Sequence, residues 1–464
     1  MFRTVGDPVS LWESRLPAEV LRLPAELARV DALLDDPAFF APFAPHFHPV
    51  IGRPSTPIEC YLRLMFLKFR YRLGFESLCA EVSDSISWRR FCRIPLDGKV
   101  PHPTTLMKLT TRCGEDAVAG LNEALWAKAA GNKLLRTSRL RADTTVIPAN
   151  VAYPTDSGLS AKAVGKLIRT VRRVQAAGGA TGTVVTDRRR AAARRVRQIA
   201  SKLRSRGKLS REESTQVIHR VTGELADLAA KTAAEAIAVL RNGRRALPKA
   251  LTGRMRGRLR RALNDLATTV ERTGKIVAQT RSRLAGQLPD SAVRLVSLHD
   301  PDARPIRKGR IDRPVEFGFK AQVTDNDDGI VLDYSVEYGA APDGPQLAPA
   351  VERVHRRAGR VPRAVTADRG YGQAAVEHDL QALGVRTVAI PRQARTSPGR
   401  KATEHSPGFR KLVKWRTGSE GRISYLKHTY GWNRTQLDGK QGAAIWCGHG
   451  VFAHNLVKIG ALAS

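Results

Sequence analysis

Acidic residues are scarce in this chain. Across 464 residues, 43 Asp+Glu stand against 78 Lys+Arg, leaving a formal charge of +35 and a pI near 10.9. Cysteine is sparse as well. Cys60, Cys79, Cys92, Cys113 and Cys447 are odd in number and form no C-x-x-C pair, which excludes a disulfide framework and a zinc finger or ribbon and leaves reduced, mostly buried thiols. No run approaches about eighteen uninterrupted apolar residues. The best stretch, from Cys60 to Phe75, is broken by Arg63, Lys68, Arg70 and Arg72, and the N-terminus lacks the apolar core of a signal peptide, so a cytoplasmic protein without a membrane partner is expected. G-x-x-x-x-G-K-[ST], H-E-x-x-H and G-x-S-x-G are all missing. ATP-driven, zinc-protease and serine-hydrolase chemistry therefore find no support.

What is present is enough to fold. Hydrophobic residues make up 42% of the chain, sufficient for a sizeable core, and the length suggests about two or three domains. The +35 surplus points to a polyanionic partner, because Lys and Arg displace condensed counterions from phosphate backbones. Nucleic acid is favoured over anionic membrane, since no long basic amphipathic helix carries Trp or Phe on its apolar face.

Three stretches differ in pattern. Residues 1–137 read as helical and as a DNA-binding domain: Val20, Leu23, Leu27, Val30 and Leu34 recur at helical spacing, as do Cys60, Leu64, Leu67 and Tyr71, then Leu106, Leu109, Val118, Leu121 and Leu125. Residues 159–290 read as a basic helical insertion. Positions 161–290 hold 31 Lys+Arg and 9 Asp+Glu, with no Trp, Tyr or Phe, and breaks are expected at Gly178-Gly179, Gly207, Gly243, Pro248 and Gly286. Such a bundle repels itself in isolation, so it is expected to lie along phosphates, with Arg254, Arg256, Arg258, Arg260 and Arg261 as a contact cluster. Residues 138–158 and 291–464 alternate like strands and helices. Leu140, Ala142, Thr144 and Val146 mark a first strand, and Val293–Leu298, Val315–Val323 and Ile330–Val336 mark three more. Next come a helix at Leu347–Ala358, a strand at Ala364–Ala367, a helix at Gln373–Leu383, a strand at Arg386–Ile390 and a last helical region from about Ser419. Without the insertion this order is ribonuclease-H-like, so the fold class expected is an α/β ribonuclease-H-like core with a helical N-terminal domain and the basic insertion after the first core strand.

Three carboxylates stand out within that core. Asp143 sits mid-strand, where an unpaired carboxylate is costly. Asp368 follows the apolar run Ala364–Ala367, at the strand end where open α/β sheets hold ligands. Glu420 begins the final helical region. Hard divalent cations such as Mg²⁺ or Mn²⁺ take carboxylate oxygens, and two such ions can activate a nucleophile and stabilise a leaving oxygen in phosphoryl displacement. Arg416, Glu420 and Lys427, at i, i+4 and i+11, share one arc of about 60° on a continuous helix. Asp156, Asp300, Asp302 and Glu377 are competing carboxylates. The pairs His46/His48 and Cys447/His449, with His454, match no standard metal spacing and read as packing or surface residues.

Arg141-Ala142-Asp143-Thr144-Thr145-Val146, Tyr153-Pro154-Thr155-Asp156, Asp300-Pro301-Asp302-Ala303-Arg304, Phe317-Gly318-Phe319-Lys320, Thr366-Ala367-Asp368-Arg369-Gly370-Tyr371 and the closing Arg416-x-x-x-Glu420-x6-Lys427 together resemble the DDE transposases of bacterial insertion sequences. The resemblance implies a DDE triad of Asp143, Asp368 and Glu420 on a ribonuclease-H-like core, two Mg²⁺ or Mn²⁺ ions, and terminal-DNA contacts by Arg416 and Lys427. It also implies a nucleoid-associated bacterial enzyme that acts on terminal inverted repeats and target DNA, as a homodimer on DNA. Val413 occupies the slot of the family's signature Tyr, and the insertion follows the first catalytic strand rather than preceding the Glu helix. The rival readings are a ribonuclease-H-like nuclease without strand transfer and a non-enzymatic basic DNA-binding protein.

Overall fold

The computed structural model describes residues 1–5, 15–204, 211–249, 252–307, 314–339 and 341–463. The chain is mixed α/β and divides into two compact units, one formed by Met1–Asn150 and Gly318–Ser464, the other by Val151–Phe317. Among the described residues all five cysteines are free, and no helix is long and apolar enough to cross a membrane.

In the first unit, strands β1 (Arg139–Pro148), β3 (Val315–Asp325), β4 (Val331–Tyr338), β5 (Ala364–Ala367) and β6 (Thr387–Ala389) run in the order β4-β3-β1-β5-β6. A further short strand, β2 (Arg304–Arg307), belongs to the second unit. β1 is antiparallel to β3 and parallel to β5, and β5 is parallel to β6. Leu140, Ala142, Thr144 and Val146 alternate along β1 with Arg141, Asp143 and Thr145. Both faces are covered: Arg141, Asp143 and Thr145 are buried along with Leu140, Ala142 and Val146, because a central strand has neighbours above and below.

The helix Gly439–Leu462 lies across β4 and also packs on the helices Ala25–Leu34, Ile58–Arg70 and Pro103–Gly131. Asn455 caps the start of β4, donating from Nδ2 to Val331 O (2.8 Å) and accepting from Val331 N (3.0 Å), and Trp126 Nε1 donates to the same carbonyl (2.8 Å). Those bonds satisfy backbone groups that a buried strand end leaves open. Gly448 permits the approach of Pro103–Gly131, since a Cβ there would lie 2.5 Å from Val118 Cγ1 and 2.4 Å from the Tyr334 hydroxyl. Residues 1–137 thus share a compact unit with the sheet.

The second unit is built on the helices Asp156–Ala176, Arg189–Arg204, Arg211–Ala246 and Gly253–Leu284. Their apolar faces meet in two clusters, one around Leu159, Val164, Leu225 and Ile276, the other around Leu167, Val174, Leu240 and Leu263. Breaks fall at Gly178-Gly179, at Pro248 and at Gly286, whereas Gly207 lies outside the described residues. Gly243 does not break its helix. It lies inside Arg211–Ala246, where a Cβ would come within 2.7 Å of Leu263 Cδ2, so its small size serves close helix packing. Val293–Leu298 is not a strand. Leu295, Val296 and Leu298 are buried against the helices, and the backbone groups of Leu295 are bonded by the Gln279 amide (2.9 and 3.1 Å) rather than by a sheet. Two helices, Pro398–His405 and Pro407–Arg416, precede the final helical region and were not legible from periodicity.

Candidate active site

The parallel register of β1 and β5 pairs Ala142 with Ala367. Asp143 and Asp368 are the next residues on each strand, so the two carboxylates emerge side by side from strands about 4.8 Å apart. Asp143 stays on β1, and its Oδ1 accepts from Thr144 N (2.8 Å). Asp368 turns the chain out of β5, its Oδ1 accepting from Gly370 N (2.8 Å) at the start of the short 3-10 helix Arg369–Tyr371. The strand-end turn role and the site role coincide in this residue. Burial first, then the neighbouring Asp368, raises the Asp143 carboxyl to about 6. Asp368 is also raised, by burial and then by Asp343.

Glu420 lies on the helix Gly418–Thr429, in its first turn, with its side chain 66% exposed. Asp325, fully buried, anchors this helix: Arg141 donates to it from Nε and Nη2 (3.0 and 2.8 Å), Ser419 Oγ lies 3.4 Å from its Oδ1, and Arg422 Nε 3.4 Å from its Oδ2. Arg141 also donates to Trp415 O (3.0 Å) and stacks on the Trp415 ring at 4.7 Å. The residues flanking Glu420 are thereby fixed while its own carboxylate stays in solvent. Gly418 is required by this packing, because a Cβ would meet Arg141 Nη1 at 2.1 Å.

Arg416 ties the three elements together. As the last residue of the helix Pro407–Arg416, it reaches Asp143 Oδ2 at 3.5 Å and Glu420 Oε1 at 3.2 Å. Arg416 lies just before the helix that carries Glu420 and Lys427, separated from it at Thr417, which keeps helical φ and ψ. Lys427, half-buried, lies about 10 Å further along the helix than Glu420. Among the described residues no three His, Cys, Asp or Glu side chains converge into a ready-made metal cage.

One carboxylate near the centre escaped the sequence reading. Asp343 starts the helix Gly344–Ala358 without capping it, pairs with Lys320 Nζ (2.5 Å), and faces Asp368 across Gly370. A Cβ on Gly370 would lie 2.9 Å from Asp368 Oδ1 and 3.1 Å from Asp343 Oδ2. In sequence, Asp343-Gly344-Pro345 reads as an ordinary helix start, and only its missing capping bond reveals another role. Tyr371, buried beneath, donates to Gln322 Oε1 (3.1 Å). Of the competing carboxylates, Glu377 is held by Arg392 (2.6 Å) and Arg400 (2.9 Å), while Asp156, Asp300 and Asp302 belong to the second unit. His449 stacks on Phe69, and His454 Nε2 lies 3.0 Å from Gly329 O; both are buried packing residues.

Residues 14–112 match a transposase domain family (DUF772), and residues 295–456 match the transposase DDE domain. The chain belongs to the DDE-type transposases of insertion elements. Asp368 and Glu420 lie within the matched DDE domain, whereas Asp143 lies outside it and joins the site through the β1–β5 register. The transposase is also similar to the uncharacterized protein ORF8 in the nfe locus of Rhizobium meliloti, with 28% identity over 178 residues, which is 35% of this chain and 80% of that relative. No solved structure matches it.

Proposed function

We propose that this transposase binds the terminal inverted repeats of its own element and that Asp143, Asp368 and Glu420 are its catalytic triad on a ribonuclease-H-like core. The observation that carries the reading is the side-by-side placement of Asp143 and Asp368 on hydrogen-bonded parallel strands, with Arg416 reaching both Asp143 and Glu420. The strand order, antiparallel on one side of β1 and parallel on the other, supports the core assignment. The donor set suits Mg²⁺ or Mn²⁺, because its oxygens are hard and because burial and neighbouring carboxylates, Asp368 beside Asp143 and Asp343 beside Asp368, raise both carboxyls despite the nearby Arg416. Two such ions, when bound, supply an activated nucleophile and charge stabilisation for the leaving oxygen.

The protein's own groups divide the remaining work. Asp143 and Asp368 project from strands and keep a fixed spacing, and Glu420 approaches from a helix pinned through Asp325. Arg416 balances the carboxylates in the free protein, and becomes available to a DNA phosphate once they are otherwise engaged. Lys427 offers a second phosphate contact from the helix that carries Glu420. Water attacks in cleavage and the freed 3′-hydroxyl attacks in joining. One phosphodiester replaces another in the joining step, so no nucleotide cofactor is needed. Pairing two element ends with target DNA calls for a homodimer on DNA, and the basic segment 159–290 is assigned to backbone phosphates through part of its surface, its other arginines being solvated helix faces.

The test incubates the protein with Mg²⁺ or Mn²⁺ and DNA bearing its element's ends, then maps the 3′ ends. Cut ends joined to target DNA are expected. Cut ends never joined would identify a nuclease that only hydrolyses, and binding with no metal-dependent cutting would identify a basic DNA-binding protein.

A further inference from the structure

The helix Asp156–Ala176 buries Leu159, Val164, Leu167, Val171 and Val174 on one side. Lys162, Lys166, Arg169 and Arg173, at i, i+4, i+7 and i+11, form a stripe within an arc of about 60°. This stripe opens on a cavity of about 560 Å³ whose apolar lining includes Leu159, Val296 and Leu298. Among the described residues no carboxylate forms an ion pair with Lys162, Lys166 or Arg169, and Arg173 meets Asp265 only at an exposed surface. Arg272 adds a further cation: it and Lys166 both donate to Leu298 O, at 2.6 and 3.1 Å. A neutral carbonyl cannot offset two cations. Burial and then Arg272, with Arg169 and Arg173, push the Lys166 ammonium below its ordinary value against the opposing pull of Asp265.

Beyond Arg173 the track continues. Arg173, Arg258 and Arg261 line an adjoining groove, in which Asp265 is the carboxylate. Arg254, Arg258 and Arg261 share one face of the helix Gly253–Leu284, and Arg256 and Arg260 lie on the opposite face, at 100° per residue. The five-arginine cluster is therefore two surfaces.

We propose that the stripe Lys162, Lys166, Arg169 and Arg173, continued by Arg258 and Arg261, is a phosphodiester site that grips one strand of duplex DNA. Concentrated like charge that outnumbers the neighbouring Asp265 is unfavourable in the free protein and is relieved by an anion. A track of about 16 Å from Lys162 to Arg173 matches the axial rise of about five nucleotides of one strand. The proposal rests on the DNA-binding part of the reading above and is independent of the triad.

The test compares the full chain with the variant Lys162→Gln, Lys166→Gln, Arg169→Gln, Arg173→Gln, measuring affinity for a random-sequence duplex against salt in metal-free buffer. The slope of log affinity against log salt should flatten by about 3 to 4, at about 0.9 for each phosphate that is no longer neutralised. The variant's melting temperature should hold or rise. Arg256→Gln with Arg260→Gln, from the opposite face, should change the slope by less than about 1. An unchanged slope, an equal loss in the control pair, or a lowered melting temperature with normal binding would each overturn the proposal. If inorganic phosphate stabilises the wild type but not the variant while the DNA slopes coincide, the ligand is free phosphate and the DNA assignment is wrong. Cleavage plays no part in these measurements, so an inert triad and an empty groove give separate outcomes.

Discussion

Ionising Asp143 costs more in the folded protein than in water. Its carboxyl titrates at about 6 in the folded protein against an ordinary 3.8, so the stability contributed by its neutral form is complete below 3.8 and is lost as pH rises through 6. Asp143→Asn should therefore melt higher than the wild type at pH 7 to 8 in metal-free buffer, by about 2–4 °C for each kcal/mol released, with the difference fading below about pH 4. Differential scanning fluorimetry across pH measures this directly. Asp143→Asn, Asp368→Asn and Glu420→Gln should each abolish cleavage while DNA binding in gel-shift assays stays near normal, because each removes a ligating charge with little change of shape. Near-normal cleavage by the Glu420 variant would move the third role elsewhere, and Asp343, facing Asp368, would be the next residue to change. His449 and His454 act in the opposite sense. Burial holds both at about 3, so their stability contribution is present above about 6.5 and is lost as pH falls towards 3. Replacing either with Gln should flatten the acid limb of a stability-against-pH curve.

At the scale of elements, the helix Gly418–Thr429 decides whether Glu420 can reach the strand carboxylates. Gly418→Ala drives a methyl into the Arg141 guanidinium, an overpacking that costs about 1–3 kcal/mol. The expected result is reduced cleavage with DNA binding retained, read by comparing turnover with gel-shift affinity. Asp325→Ala leaves Arg141 buried without its charge partner, a loss of about 3–5 kcal/mol, and chemical denaturation should show it. The elements that periodicity revealed were those facing one core: the helix near Ala25–Leu34, the strand Ala364–Ala367 and the helix Gly344–Ala358 all lie close to their expected spans. Val293–Leu298 misled because a short apolar run pressed on helices reads like a buried strand, whether or not a sheet takes its backbone bonds. Pro398–His405 and Pro407–Arg416 were hidden because Ser-Pro starts and many charges read as loop, although Ser397 and Ser406 cap them.

For the whole molecule, the basic unit carries the largest electrostatic imbalance, +22 over residues 161–290. Its self-repulsion should weaken as salt rises from about 0.01 to about 0.15 M and the Debye length shortens from about 30 to about 8 Å. Hydrogen exchange in the helices Asp156–Ala176 and Gly253–Leu284 should slow over that range, while β1 and β5 change little. Equal change in both units would show that the excess charge is solvated without strain.

Composition, periodicity and ordered motifs already determined a strongly basic protein with an α/β core, a charged helical stretch, and Asp143, Asp368 and Glu420 as the residues to test. Those are local properties: an apolar stripe, a carboxylate at a strand end and a surplus of charge are all written in the order of residues. Tertiary structure alone decided that Asp143 and Asp368 sit side by side, that Arg416 bridges Asp143 and Glu420, and that Asp343 faces Asp368 across Gly370. Each of these depends on strand register or helix rotation, and the packing of distant segments sets both.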